Sequence, residues 1–278
     1  MRGLYVAVVL SLILALVVIY TYPYTAPYSP SNGGWDGYSM AVETCLKPIY
    51  TPTEVNGSRV VFIIPLVNLP KAYVKALRAL LLRGGVVVIL SNLPTVNQLL
   101  SELGVNVTVT GMVIKDPLFN SINEYFPIAV IRGYRPLNIT PMFIVLDNAT
   151  VIDINGNASS IALTGLSSIA GNETGPFTVM AVARYGEGYV LVASSPGIFM
   201  NSLLGKGGNM LLLRELCSIG PSAYLVPALG GFQVEYRASL VSIYYSIHQY
   251  PINYLISMTP ILALVTLMAL SRRNNNAH

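Results

Sequence analysis

Few side chains in this sequence could do chemistry, and each candidate can be weighed on residue type and spacing. Ala193-Ser194-Ser195-Pro196-Gly197 has the outline of a nucleophile elbow around Ser195. In such an elbow the N–H of the residue after the nucleophile supplies half of the oxyanion hole. Pro196 has no N–H, so a donor typically worth about 2.7–4 kcal/mol in the transition state is missing. The stretch reads better as a turn after a strand. Gly205-Lys206-Gly207-Gly208-Asn209 precedes a helical pattern, so its amides and Lys206 could hold an anion. It lacks the G-x-x-x-x-G-K-[ST] spacing of a phosphate loop, and a loop with a helix start at Asn209 is the plainer reading. Asp147 and Asp153 would have to face each other across a cleft to act as glycosidase carboxylates; as turn residues they need nothing further. His248 stands alone, no metal-ligand cluster is visible, and no cofactor or metal is expected.

The remaining candidates depend on where strands end. Open α/β sheets bind ligands outside the carboxyl ends of their strands. With strands ending at Leu90 and Ala193, the candidate ligand-binding residues are Ser91, Asn92, Ser194, Ser195, Lys206 and Asn209. Cys45 and Cys217, the two cysteines, sit in apolar helical contexts (ETCL and RELC). They could form one disulfide or remain two buried thiols. Six asparagines, Asn56, Asn106, Asn138, Asn148, Asn157 and Asn172, stand in N-x-[S/T] acceptor triplets for glycosylation, where roughly two are expected by chance. An unmodified Asn- and Thr-rich surface is the other reading.

Short β-branched runs alternating with helical patterns position these residues, as in a parallel α/β sheet. Residues 60–65 (VVFIIP) read as a buried strand. Residues 71–83 read as an amphipathic helix with Tyr73, Leu77, Leu80 and Leu81 on one face, closed by Gly84-Gly85. Residues 86–90 (VVVIL) are the next strand, followed by a short helix near 95–103. From 104 to 175 the pattern turns to strands and polar turns, a β-rich insertion. Strands over 177–184 and 189–193 then flank the turn 185–188, and a helix over 208–217 closes the domain.

The segments VVFIIP…YVKALRALLLRGGVVVILS and YGEGYVLVASSPGIFMN…GGNMLLLREL are similar to the two halves of the outer domain in the domain-of-unknown-function family 4350. The resemblance spans about 37–218, with the insertion unmatched. It implies a mostly parallel flavodoxin-like sheet related to class I glutamine amidotransferases, flanked by N- and C-terminal transmembrane helices. It also implies partnership with a MoxR-type AAA+ ATPase system. Amidotransferase activity needs a Cys nucleophile on a strand-to-helix elbow with a His base. Ser91-Asn92 follows the strand ending at Leu90, and neither cysteine follows a strand. Ser195-Pro196 also replaces the acidic residue usual after the family's last strand.

The chain is 53% hydrophobic and only 10% charged, against roughly 25% charged in soluble domains. All 12 acidic residues lie between Asp36 and Glu235, and setting aside Arg2, Arg272 and Arg273 leaves 13 basic residues against them. A near-neutral middle argues against nucleic-acid binding. Residues 4–20 and 252–270 are uncharged runs long enough to predict spans through a lipid bilayer, although a signal peptide competes for the first. The basic ends then predict both termini in the cytoplasm. The expected layout is a membrane anchor over 1–22, a Tyr/Pro/Gly spacer over 23–37 and an extracytoplasmic domain over 38–220. A juxtamembrane connector over 221–250, a second transmembrane helix over 251–271 and a cytoplasmic tail over 272–278 follow. The expected function is a non-catalytic binding or scaffold component of a cell-envelope complex, recognising a protein, peptide or glycan. The alternatives are a cell-surface hydrolase using Ser195 or acidic residues, and a structural envelope protein.

Overall fold

The computed structural model describes residues 2–21 and 25–249. Helix α1 (Arg2–Thr21) precedes a folded segment that begins at Thr25 and leads into α2 (Ser39–Thr44), β1 (Lys47–Ile49) and β2 (Val60–Ile63). Next come α3 (Lys71–Leu82), β3 (Val86–Leu90) and α4 (Val96–Glu102). The β-rich stretch contains β4 (Val107–Val113), β5 (Ile128–Ile131), β6 (Met142–Val145), β7 (Thr150–Ile154), β8 (Ser159–Thr164), β9 (Ile169–Ala170) and β10 (Glu173–Thr174). The chain closes with β11 (Thr178–Tyr185), β12 (Gly188–Ala193), α5 (Asn201–Leu204), α6 (Asn209–Ser218), β13 (Ser222–Leu225) and α7 (Phe232–Gln249).

Nine strands form the main sheet in the order β1-β13-β2-β3-β12-β11-β8-β5-β6. The first five run parallel. β2 and β3 are buried along their whole length, as continuous apolar runs must be when both faces of a parallel sheet are covered. Their side chains alternate between two cores. Val60, Phe62, Val86 and Val88 face one, and Val61, Ile63, Val87 and Ile89 share the other with Val74, Leu77, Leu80 and Leu81 of α3. Helix α3 ends at Gly84-Gly85 for steric reasons: Gly84 has φ +77°, and a Cβ on Gly85 would lie 2.4 Å from the Leu80 side chain.

The expected mostly parallel sheet becomes a mixed one. The β11–β12 hairpin pairs Tyr185 with Gly188 and reverses the strand direction. Beyond it β8, β5 and β6 join by antiparallel pairing. The β-rich stretch therefore extends the main sheet, while β4 and β7 pair in a small second sheet. A two-residue turn needs no crossover helix, and this lets the polarity change within a few residues.

Edge strands invite pairing with other chains unless they are blocked. Pro48 stands at the centre of edge strand β1, where it offers no N–H. At the opposite edge, the Asn209 side chain pairs with Val145 of β6 as a neighbouring strand would. Its Oδ1 accepts from the Val145 N–H at 3.0 Å, and its Nδ2 donates to the Val145 carbonyl at 2.9 Å. Asn97 does the same for Val109 of β4, at 2.9 and 3.0 Å.

Several expected boundaries look different in the fold. Residues 221–225, expected in the connector, include β13, which lies buried between β1 and β2. The spacer residues from Thr25 pack closely: Asn32 donates to the Thr25 and Ala26 carbonyls and to Asp36, and Tyr224 donates to the Tyr28 carbonyl.

The expected flanking transmembrane helices are not retained. Among the described residues, no helix is long and apolar enough to cross a membrane. The second expected span, 252–270, lies outside the described residues, as does His248's neighbour Tyr250. The localisation built on those spans, a two-span membrane protein with cytoplasmic ends and an outer domain, is withdrawn with them.

Candidate functional site

At the carboxyl ends of β3 and β12, the fold brings together four of the candidate ligand-binding residues. Asn92, Ser194 and Ser195 meet the turn between β6 and β7, while Ser91 is held locally. Ser195 Oγ accepts from the Asp147 N–H and donates to the Asp147 carbonyl, both at 2.9 Å. Asn92 Nδ2 donates to the Asn148 carbonyl at 3.2 Å, and the Thr150 hydroxyl donates back to the Asn92 carbonyl. Ser194 accepts the Thr150 N–H through its carbonyl, and its hydroxyl donates to the Val179 carbonyl. Ser91 Oγ accepts the Leu93 N–H in a local turn. Both hydrogen-bonding roles of the Ser195 hydroxyl are thus spent on main chain, and the residue is fully buried. A hydroxyl so committed is not poised to attack a substrate.

Aromatic side chains fill the space beside this latch. Tyr38 and Tyr224 stack with ring centroids 5.3 Å apart, and Tyr28 meets Tyr38 edge-on at 6.0 Å. The Tyr38 hydroxyl donates to the Pro196 carbonyl. Burial, with Asp147 and Asp36 nearby, pushes the Tyr28 phenol up to about 12. Burial also raises the Asp147 carboxyl, partly offset by the hydrogen bond from Asn148. Asp147 approaches so closely that a Cβ on Gly197 would lie 2.7 Å from its own Cβ. Asp153, which would have to face it in a glycosidase pair, lies exposed at the far end of β7 and pairs with Thr108.

Lys206 and Asn209 are not brought to this cluster. Lys206 is exposed, while Asn209 is buried at the β6 edge and also donates to the Ile198 and Leu203 carbonyls. The amide of Gly208 is taken by the Phe143 carbonyl at 2.7 Å, so this N–H of the loop is not turned towards an anion. Cys45 and Cys217 are joined by a disulfide that ties α2 to α6. Among the described residues no group of three or more His, Cys, Asp or Glu is arranged to hold a metal.

The open concavity at the carboxyl end lies next to the latch. A groove of about 360 Å³ runs between the loop after β2 and helix α4, lined by Leu66, Val67, Leu69, Val96 and Leu99, with Gln98 and Glu102 at its rim. Leu66 and Val67 are exposed, yet their N–H groups are fixed to the Ala228 carbonyl at 2.9 and 3.2 Å. The groove is largely apolar, with Asn68 and Thr95 also in its wall, and its β2–α3 side is tied to the Ala228 carbonyl. Sequence inspection missed it, although a signal exists: Leu66, Val67 and Leu69 are apolar residues between Pro65 and Pro70, outside any helical or strand period.

No protein-family model matches the chain, and no curated protein matches it. Among solved structures it is similar to the IFT52 N-terminal domain, at 15% identity over 61% of this chain and 81% of that one, with a TM-score of 0.49. It is also similar to β-galactosidase from Bacillus circulans sp. alkalophilus, at 15% identity over 59% of this chain and only 23% of that one, TM-score 0.38. A cytoplasmic protein from Salmonella typhimurium matches at 10% identity over 64% and 78%, TM-score 0.37. With TM-scores below 0.5, these likenesses carry no functional argument.

Proposed function

We propose that this chain is a non-catalytic binding or scaffold component whose α/β domain receives a partner at the groove between the β2–α3 loop and α4. One observation carries the reading. At the carboxyl ends of β3 and β12, the Asn92 and Ser195 side chains are spent on latching the β6–β7 turn and those of Ser91 and Ser194 on nearby main chain, whereas the groove beside them is open and largely apolar. Exposed aliphatic residues held by fixed main chain lose little entropy when covered, which favours binding. A MoxR-type AAA+ ATPase, which the family resemblance implies, is the first partner to look for.

The test is recovery of the tagged full chain from its native cells after mild crosslinking. The expected result is a stoichiometric partner that is lost from Leu66→Glu and retained by Ser195→Ala. Recovery of the chain alone, or equal recovery of the partner by Leu66→Glu, overturns the reading. Hydrolysis of a reporter ester that disappears in Ser195→Ala would establish the serine hydrolase instead.

A further inference from the structure

The six N-x-[S/T] triplets differ in what the fold leaves accessible. All six asparagines are exposed. In five triplets the hydroxyl residue is at or near the surface: Thr140, Ser159 and Thr174 are exposed, and Ser58 and Thr108 are half-buried. The sixth is different. Thr150, the third residue of the Asn148 triplet, is 1% exposed, and its hydroxyl donates to the Asn92 carbonyl. Asn148 itself has φ +44°, and its amide donates to the Asp147 carboxylate at 2.7 Å.

The five accessible triplets are also unevenly placed. The strand ladder assigns each loop to one end of the sheet. Asn56 lies in the 3-10 turn just before β2. Asn106 precedes β4, whose first residue, Val107, pairs with Ile154 at the end of β7. Asn157 lies in the β7–β8 turn, and Asn138 caps the turn between β5 and β6. These four crowd the amino ends of the parallel strands. Asn172, between β9 and β10, lies at the other end.

We infer that the folded domain is the acceptor for N-linked sugar at Asn56, Asn106, Asn138, Asn157 and Asn172, and that Asn148 stays bare. The bond forms between an asparagine Nδ2 and the anomeric carbon of a phosphate-activated sugar. The phosphate carrier leaves with the anomeric C–O electron pair, and one amide proton passes to it; nothing is oxidised or reduced. A transferase that reads the triplet needs the third residue's hydroxyl as well as the asparagine, and only Thr150 is shut away. One cavity would change character. The hollow of about 530 Å³ at the amino end has Gly57 and Ser58, of the Asn56 triplet, in its wall beside Lys47 and Glu54. Sugar on Asn56 stands at its mouth, while none of the five acceptors lines the groove at the opposite end. The inference does not depend on the proposed binding role.

Peptide mass spectrometry on the chain purified from its native source provides the test. Hexose- or hexosamine-sized additions are expected on the five accessible asparagines, with the Asn148 peptide at its unmodified mass. Ser159→Ala should remove the addition from Asn157 and leave the fold, followed by circular dichroism, unchanged. Unmodified masses at all five sites overturn the inference, and so does Asn148 carrying sugar at an occupancy equal to the others.

Discussion

The two halves of the sheet are held by different means. In the parallel half, β2, β3, β12 and β13 are strands buried except at the half-buried Tyr189, apolar but for Tyr189, Ser222 and Tyr224, and α3 and α6 press on opposite faces. In the antiparallel half, β5 alternates buried and more exposed positions, and β8 mixes the two without strict alternation. Side-chain hydrogen bonds do much of the fastening there. Asn209 fixes the β6 edge, and Ser195 fixes the turn after it. Asp116 lies buried, with Ser167 and Ser168 hydroxyls and the Leu118 and Phe119 N–H groups all donating to its carboxylate. Apolar burial tolerates imprecise geometry but exacts cavity costs, whereas a buried polar pin fails when one partner is lost. The parallel half should therefore be sensitive to volume, and the antiparallel half to the loss of single hydrogen-bonding atoms.

The largest expected effect belongs to the parallel half. Phe62, fully buried and edge-on to Phe199 with centroids 5.9 Å apart, should cost about 3–5 kcal/mol when replaced by Ala. Denaturant unfolding would measure it, and a loss below 1 kcal/mol would break the contrast. Asn209→Ala should cost about 3 kcal/mol by orphaning the main chain of Val145, with Asn209→Asp little better because it cannot donate. If both variants keep full stability, the side chain is not the edge pin described above.

Asp116 sharpens the comparison through pH. Burial raises its carboxyl, but the hydrogen bonds from Ser167, Phe119, Ser168 and Leu118 outweigh that and hold it below the usual value. Its contribution is fully present above the unfolded value near 3.9 and is lost as pH falls through the lower folded value. Asp116→Asn should lose about 2 kcal/mol near neutrality and flatten the acid limb of the stability curve. An unchanged acid limb would remove Asp116 as its source. Asp147 carries the opposite sign. Its raised carboxyl favours the folded state below the unfolded value, and that benefit disappears as pH rises through the folded value. Asp147→Asn should therefore be neutral or stabilising by a few tenths of a kcal/mol near pH 7. A clear loss on thermal melting would contradict this.

The contrast also explains what could be read in advance. VVVIL is a strand by composition alone, and Leu77, Leu80 and Leu81 mark the buried face of α3 by their period, because these signals are local. The strands of the insertion are legible as runs, but their addition to the main sheet is not, since β5 pairs with β8 some thirty residues later. Asn209 suggested a helix start; its main partner, Val145, is 64 residues away. Ser91, Asn92, Ser194 and Ser195 follow the ends of β3 and β12, but nothing nearby in sequence reveals that the 147–150 turn takes hydrogen bonds from Asn92, Ser194 and Ser195. The apolar run over 4–20 predicts a span from composition, yet among the described residues no helix is long and apolar enough to cross a membrane.

The position of β13 has a consequence for how the chain is made. Among the described residues, the last strand to leave the ribosome is the one that enters between the first two, parallel to both. Until Ser222–Leu225 has emerged, β1 has no neighbour and β2 has an open side. A nascent chain can assemble β2, β3 and α3 early, but the sheet cannot close from one end to the other during synthesis. Closure waits for the final strand, and a chain truncated before it forfeits β1 as well.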